Sequence, residues 1–400
     1  MTSKPSLTVI LFLMLGAPLY ADGGTQISAC IAALPSMGGV CDFRNYGALT
    51  AASTIVVNKP TTLLLDGTQL TLNGSPGILI AANGVRIEGA AGQTKLIQGG
   101  TLGSTPYNRN VIDGNTLEDL KIEGITFMGI PCSVPQDNNS GIHLSNPSPE
   151  NISRVRVTGS TFTGFCLHGV MIQNASDVVI EDNVIYGVSY GIRFSGVTRG
   201  KIINNVVRDT QIANNGAFTV AIGLDTTAPL DDGLTYPIST DIQIAKNTVF
   251  DYVNGEAVMV HSGCDILISD NVFNNVLMGI GVNPFNSTDY LYDVTVTGNA
   301  YVGTTTSGAS RTTGNYGIFV GGGGSAAIPS NIIVTNNTVS RANEIARSGY
   351  QGGIRISEAT NVLVQGNFVH DTFNTGILQT SLGSGVVIRE NYVHNIPGGD

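Results

Sequence analysis

Residues 169–188, GVMIQNASDVVIEDNVIYGV, constrain what this chain can fold into more than any other stretch. They hold three short runs of alternating apolar residues, at 169–173, 178–180 and 184–186, with Asn183 between the last two. The residues that follow repeat the pattern: Gly191-Ile192-Arg193-Phe194-Ser195, then Lys201-Ile202-Ile203, then Asn205 before Val206-Val207. Self-similarity at a fixed short period specifies stacked units and outranks any local reading. The first run, Gly or Ala followed by apolar–x–apolar–x, starts again at Gly141, Ala221, Ala257, Gly279, Gly317, Gly353 and Gly376. An asparagine closes the second run at Asn183, Asn205, Asn247, Asn271, Asn299, Asn337, Asn367 and Asn391. An apolar spacing of two, broken every few residues by Gly or Asn, fits no helical wheel.

Three short strands per coil predict an all-β fold, a single-stranded right-handed parallel β-helix. Each strand bonds to its counterpart one coil away, ~4.8 Å along the axis, and the alternating apolar residues fill a thin shared core. A column of side-chain amides at one corner can satisfy itself, because each amide both donates and accepts. These asparagines therefore read as builders of the corner rather than as chemistry.

The repeated Gly-Ile-x-apolar strand followed by V-x-I-x-x-N resembles the pectin-lyase-like, right-handed parallel β-helix superfamily, in its NosD/PbH1-type repeat form. The resemblance covers most of the chain and is specific for fold. The superfamily includes polysaccharide lyases, glycoside hydrolases, epimerases and non-catalytic proteins, so function has to come from the site.

Composition agrees with a solenoid: among 400 residues there are 51 Gly, no Trp and only 12% charged residues. A repeat array escapes the usual division of so long a chain into globular domains, since each coil buries its face on its neighbours. The net charge of −10, with no basic stripe, argues against a nucleic-acid partner. Residues 1–21 read as a signal peptide, with Lys4, an apolar core at 7–15 and a cleavage site after Ala21. That run is too short to span a bilayer, so the expected location is secreted or periplasmic, with no membrane insertion after signal removal.

Residues 22–50 form the expected N-terminal cap, with an amphipathic helix over 25–34 that covers the exposed backbone of the first coil. Residues 51–400 form the β-helix, irregular in its early coils up to 127. No cap is evident after the last Asn coil near Asp400, which leaves open assembly through that end or a longer natural chain. In an oxidising compartment, Cys30 and Cys41 are placed to pair across the cap, and Cys132 and Cys166 fall at like positions of adjacent coils. Cys264 remains as a buried thiol.

The long loops flank the first strand of each coil over the middle and later coils, which marks that sheet as the binding face. The third and fifth positions of the strand point outward. Arg193, Asp225, His261 and Asn283 gather there, with Gly223 and Gly281 as open floor. A carboxylate beside an imidazole raises its pKa and fixes its tautomer, and a guanidinium neutralises a substrate carboxylate so that the neighbouring proton can be removed. The sequence thus points to a polysaccharide lyase acting on a uronate polymer. His261 would be acid or base, Asp225 would orient it, and Arg193 would bind substrate. Arg355 and Asn283 would serve neighbouring subsites, and Tyr290 and Tyr316 would stack on sugar rings.

Asp231 and Asp232, in the loop after Asp225, form with it either an oxygen set for Ca²⁺ or a solvated loop. Two alternatives stand beside the lyase. One is a hydrolase of the polygalacturonase type, for which Asp225 alone supplies no spaced carboxylate pair but Asp231 or Asp232 could complete one. The other is a non-catalytic cell-surface or periplasmic binding or structural protein, in which the polar residues of this wall splay apart.

Overall fold

The chain is described by a computed structural model at residues 22–100, 109–130, 139–146, 152–210, 219–225, 235–253, 255–304, 315–322, 327–342, 351–373, 375–380 and 383–396. Its strands fall into three parallel sheets of 13, 13 and 12 strands. In each sheet every third strand along the chain is the next neighbour, which is the signature of a right-handed parallel β-helix. The first sheet carries the V-x-I runs, the second the short strands after the Asn corner, and the third the Gly-Ile-x-apolar strands.

Register explains why the repeat is legible. In the first sheet Ile180 pairs with Ile202, Ile202 with Ile244 and Ile244 with Ile268, so like residues stack on like. In the second sheet Phe127 lies over Phe162 with ring centroids 4.6 Å apart and planes 2° from parallel. In the third, Ile192, Ile222 and Val258 continue one inward column. All are buried in a single core that runs the length of the coils. Each coil therefore hides its apolar face only by having neighbours.

The Asn corner is a continuous hydrogen-bonded ladder. Asn183 Nδ2 donates to Asn205 Oδ1 at 3.0 Å, Asn205 to Asn247 at 3.0 Å and Asn247 to Asn271 at 3.0 Å, and the series continues to Asn391. The left-handed backbone falls one residue before the ladder, at Asp182 (φ 56°), Asn204 (φ 56°) and Asp270 (φ 56°), where short polar side chains tolerate it. The early coils hold the same corner with hydroxyls. Thr68 Oγ1 donates to Phe43 O at 2.5 Å and Thr94 Oγ1 to Leu65 O at 3.1 Å, and Ser160 Oγ accepts from Ile125 N at 3.2 Å. Those coils look irregular in sequence because Thr and Ser replace Asn.

The helix runs Gly23–Ala33, two residues earlier than the sequence reading placed its start. Asp22 caps it by accepting from Thr25 N at 3.0 Å, and Ile27 and Ile31 turn onto the first coil. The strands Gly39–Asp42 and Ala48–Ala51 already pair with the next coil, so regular coils begin inside the span read as cap. Cys30 and Cys41 form a disulfide that ties the helix to the first strand. Cys166 is also disulfide-bonded. Cys132, the partner expected for it, lies outside the described residues, as do the signal segment 1–21 and Asp231 and Asp232. Cys264 is free and buried.

Candidate functional site

Among the described residues, the outward face of the third sheet carries a run of buried polar side chains, including Ser140, His143, His168, Gln173, Ser195, Asp225 and Glu256. Register builds one column from His143, Met171, Arg193, Gly223, Met259 and Gly281, each one coil from the last. A second column holds Gln173, Ser195, Asp225, His261 and Asn283. Asp225 N–H donates to Phe194 O, His261 N–H to Leu224 O and Asn283 N–H to Val260 O, each at 2.9 Å, which puts these residues on successive coils. The sequence reading named both columns. A third outward column precedes the glycine of each strand: Ser140, His168 and Tyr190, then Val220 and Glu256.

Arg193 is the hub of the earlier coils. Its guanidinium forms an ion pair with Asp225. Nη1 lies 3.3 Å from His168 Nε2, and Cζ sits 4.8 Å from the Tyr190 ring centroid. The other nitrogen of His168 meets Ser140 Oγ at 3.3 Å. Burial, together with the Arg193 charge, pushes the His168 pKa well below the usual imidazole value. His168 is a packed neighbour of Arg193. His143 continues the network, with Nε2 3.0 Å from Gln173 Oε1. Tyr236 returns across this wall, its hydroxyl 3.0 Å from Ser145 Oγ.

Asp225 and His261 share the wall as expected, but the electrostatics are the reverse of the expectation. Asp225 spends its charge on Arg193. His261 is partly buried, and loss of water pushes its pKa down to about 4. Asp289 opposes that shift and Arg193 adds to it. Phe285 supplies the cover, stacked on the imidazole with centroids 5.3 Å apart and planes 11° from parallel. Its loop is pinned by Asp289 Oδ2, which accepts from Phe285 N at 2.9 Å and from Asn286 N at 2.8 Å. His261 is therefore neutral at neutral pH.

Further along the axis lies a group that the sequence reading missed. Glu256, only 2% exposed, accepts a hydrogen bond from the Tyr316 hydroxyl. Its carboxylate occupies the space that a Cβ on Gly281 would fill. Tyr316 is thus no loop aromatic. It lies in the strand Asn315–Gly321, is 5% exposed, and packs with Leu277, Met278 and Phe319, so it presents no face to a sugar. Tyr290 is exposed at 66% and keeps its expected position. Arg355 lies with Cζ 5.9 Å from the Phe319 ring centroid, two coils beyond Gly281. The signal for Glu256 was the residue before each strand's Gly or Ala, where Ser140, His168 and Tyr190 also stand.

Comparison with known proteins follows the fold. Residues 140–328 and 310–399 match the family described as right handed beta helix region, and residues 52–218 match the family described as periplasmic copper-binding protein (NosD). No curated protein matches the chain. Among solved structures, an exopolygalacturonase from Thermotoga maritima superposes with a TM-score of 0.59 at 11% identity, over 93% of this chain and 96% of that one. The tailspike of E. coli bacteriophage HK620, in complex with a pentasaccharide, gives 0.60 at 14% identity, over 93% and 62%. The catalytic domain of a GH87 α-1,3-glucanase in complex with nigerose gives 0.51 at 15%, over 86% and 65%.

The copper suggested by the second family does not fit this wall. Among the described residues no three His, Cys, Asp or Glu converge on a point where an ion could sit. The guanidinium beside His168 puts a positive charge where a cation would bind. The profile match over residues 140–399, well over half of the chain, rests on the same coils that form the three sheets, and by it the chain belongs to the family of right-handed β-helix proteins.

Proposed function

We propose that the chain acts on a polysaccharide outside the cytoplasm, and that its reaction is β-elimination from a uronate ring on the wall of the third sheet. The observation that carries this reading is that one wall holds a neutral imidazole, His261, and, two coils away, the Arg193 guanidinium, whose charge adds to the depression of the imidazole's pKa. Elimination needs a proton acceptor together with a cation that neutralises the carboxyl. The proton on the carbon bearing the carboxyl passes to His261, and its electron pair forms the new carbon–carbon double bond. The bond to the glycosidic oxygen breaks, and the leaving oxygen takes a proton from solvent. Arg193 offsets charge that develops on the carboxyl. Asp225 positions Arg193 rather than His261. With a pKa of about 4, His261 is wholly in its accepting form at neutral pH.

Hydrolysis is the reading that the buried Glu256 favours, since it adds a second carboxyl to the wall. The first, Asp225, meets Arg193, and the Glu256 carboxyl lies over Gly281. Roughly two to three coil rises separate them, ~10–14 Å, beyond the roughly 6.5–9.5 Å of a working hydrolase pair. The solved relatives that carry glycans on this fold support a polysaccharide as partner. The Cys30–Cys41 disulfide supports an oxidising compartment. No described helix is long and apolar enough to cross a membrane.

The test is purified protein on a panel of uronate and neutral polysaccharides, read by double-bond absorbance and by new reducing ends. Absorbance from a uronate polymer that falls at least about a hundredfold in His261→Ala is the expected result. New reducing ends without absorbance would establish hydrolysis instead, and binding with neither signal would establish a non-catalytic wall.

A further inference from the structure

The carboxylate expected beside the imidazole stands there, but it comes from a loop. Asp289 is wholly buried, and its Oδ2 accepts from Phe285 N at 2.9 Å and from Asn286 N at 2.8 Å. Those bonds hold the Phe285 ring against His261, the two planes 11° from parallel. The next residue is tied to the segment that leaves His261: Tyr290 O accepts from Gly263 N at 2.7 Å and from Ser262 Oγ at 3.3 Å. On the other flank Asn286 O accepts from Ala327 N at 3.2 Å. The loop is thus fastened on both sides, and Asp289 is carried to the level of His261. An uncharged amide oxygen would accept the same two bonds, and burying a charge is costly unless an opposite charge or a donor meets it. Here the negative charge acts on the imidazole, opposing what burial and Arg193 do to it.

We propose that Asp289 is a positioning residue for His261: it holds Phe285 over the imidazole and stabilises the imidazolium that forms when His261 accepts a proton. The other charged groups around His261 are committed elsewhere. Asp225, one coil before, is paired with Arg193, and the Arg193 charge itself opposes a second positive charge nearby. Glu256, on the strand that leads into His261, accepts from the Tyr316 hydroxyl. When the carbon–hydrogen bond of the substrate breaks, the proton brings one positive charge onto an imidazole that Phe285 keeps from water. A carboxylate already fixed in place meets that charge without reorganisation. The catalytic consequence rests on the elimination reading; the pairing of Asp289 with His261 does not.

The experiment follows the His261 imidazole by proton NMR in the whole chain, for wild type, Asp289→Asn and Asp289→Ala, with urea midpoints reporting folding. Asn keeps an acceptor for both N–H groups and removes the charge, so His261 should titrate about one unit below its native value of about 4. Ala also releases Phe285. Burial is the larger influence on His261, so in this variant it should move the other way, toward about 6.5. A residue that only fastens the loop would leave His261 unmoved in folded Asp289→Asn, and that result overturns the proposal. If Asp289→Asn does not fold, Asp289→Ser, which keeps one acceptor without the charge, takes its place. On a uronate polymer, read by double-bond absorbance, kcat should fall about three- to tenfold in Asp289→Asn with KM within about twofold. An unchanged kcat alongside the shifted imidazole overturns the stabilising role. The downward shift with no double-bond product from wild type on any uronate polymer upholds the pairing of Asp289 with His261 and overturns elimination.

Discussion

Replacing Asn271 by Leu should cost this fold more than any surface change, because of what it orphans. The Asn271 carboxamide accepts from Asn247 N at 2.9 Å and from Asn247 Nδ2 at 3.0 Å. It donates to Ile244 O at 3.0 Å and to Asn299 Oδ1 at 2.9 Å. Two of those partners have other bonds: Asn247 Nδ2 keeps Ile202 O, and Asn299 Oδ1 keeps the N–H of residue 271. The Asn247 N–H and the Ile244 carbonyl lose the bonds named here. Each unsatisfied buried group costs about 1–3 kcal/mol, so the change should destabilise by about 2–6 kcal/mol. The same replacement at Asn391 is the control, since that residue is partly exposed and water takes over its bonds; its cost should stay below about 1 kcal/mol. Urea unfolding read from the midpoint shift, with hydrogen exchange at the Asn247 amide as the local probe, gives the comparison. Equal costs at 271 and 391, or an Asn247 amide that exchanges no faster, would refute the claim that the ladder holds the coils in register.

Two other outcomes follow from the wall. Phe285→Ala uncovers His261, so its imidazole, followed by proton NMR, should titrate nearer the free value of about 6.5 than the native value of about 4. Because the folded pKa is the lower one, the unfolded chain binds the extra proton between about pH 4 and 6.5. This group therefore lowers stability as pH falls through that window, and the variant should lose most of that dependence. Asp225→Leu leaves the Arg193 charge without its partner and should cost about 3–5 kcal/mol, whereas Arg193→Met with Asp225→Leu should recover most of it, as measured by urea midpoints. A double variant no better than the single one would show that the pair is not what holds this part of the wall.

The repeat alone determined the fold. Inward residues such as Ile180, Ile202 and Ile244 obey a spacing of two and return every coil, and a parallel stack is the arrangement that buries them all. The same periodicity put Arg193, Asp225 and His261 on one wall. The roles within that wall were decided by side-chain directions and loop cover, which no period encodes. Asp225 turns toward a guanidinium rather than toward the imidazole one coil away, because the largely shielded Arg193 charge needs a counter-ion. Phe285, from a loop with no repeat, takes water from His261 and reverses the direction of its pKa shift. Glu256 escaped notice because it precedes the repeated motif, and only the missing side chain of Gly281, one coil on, shows where its carboxylate goes.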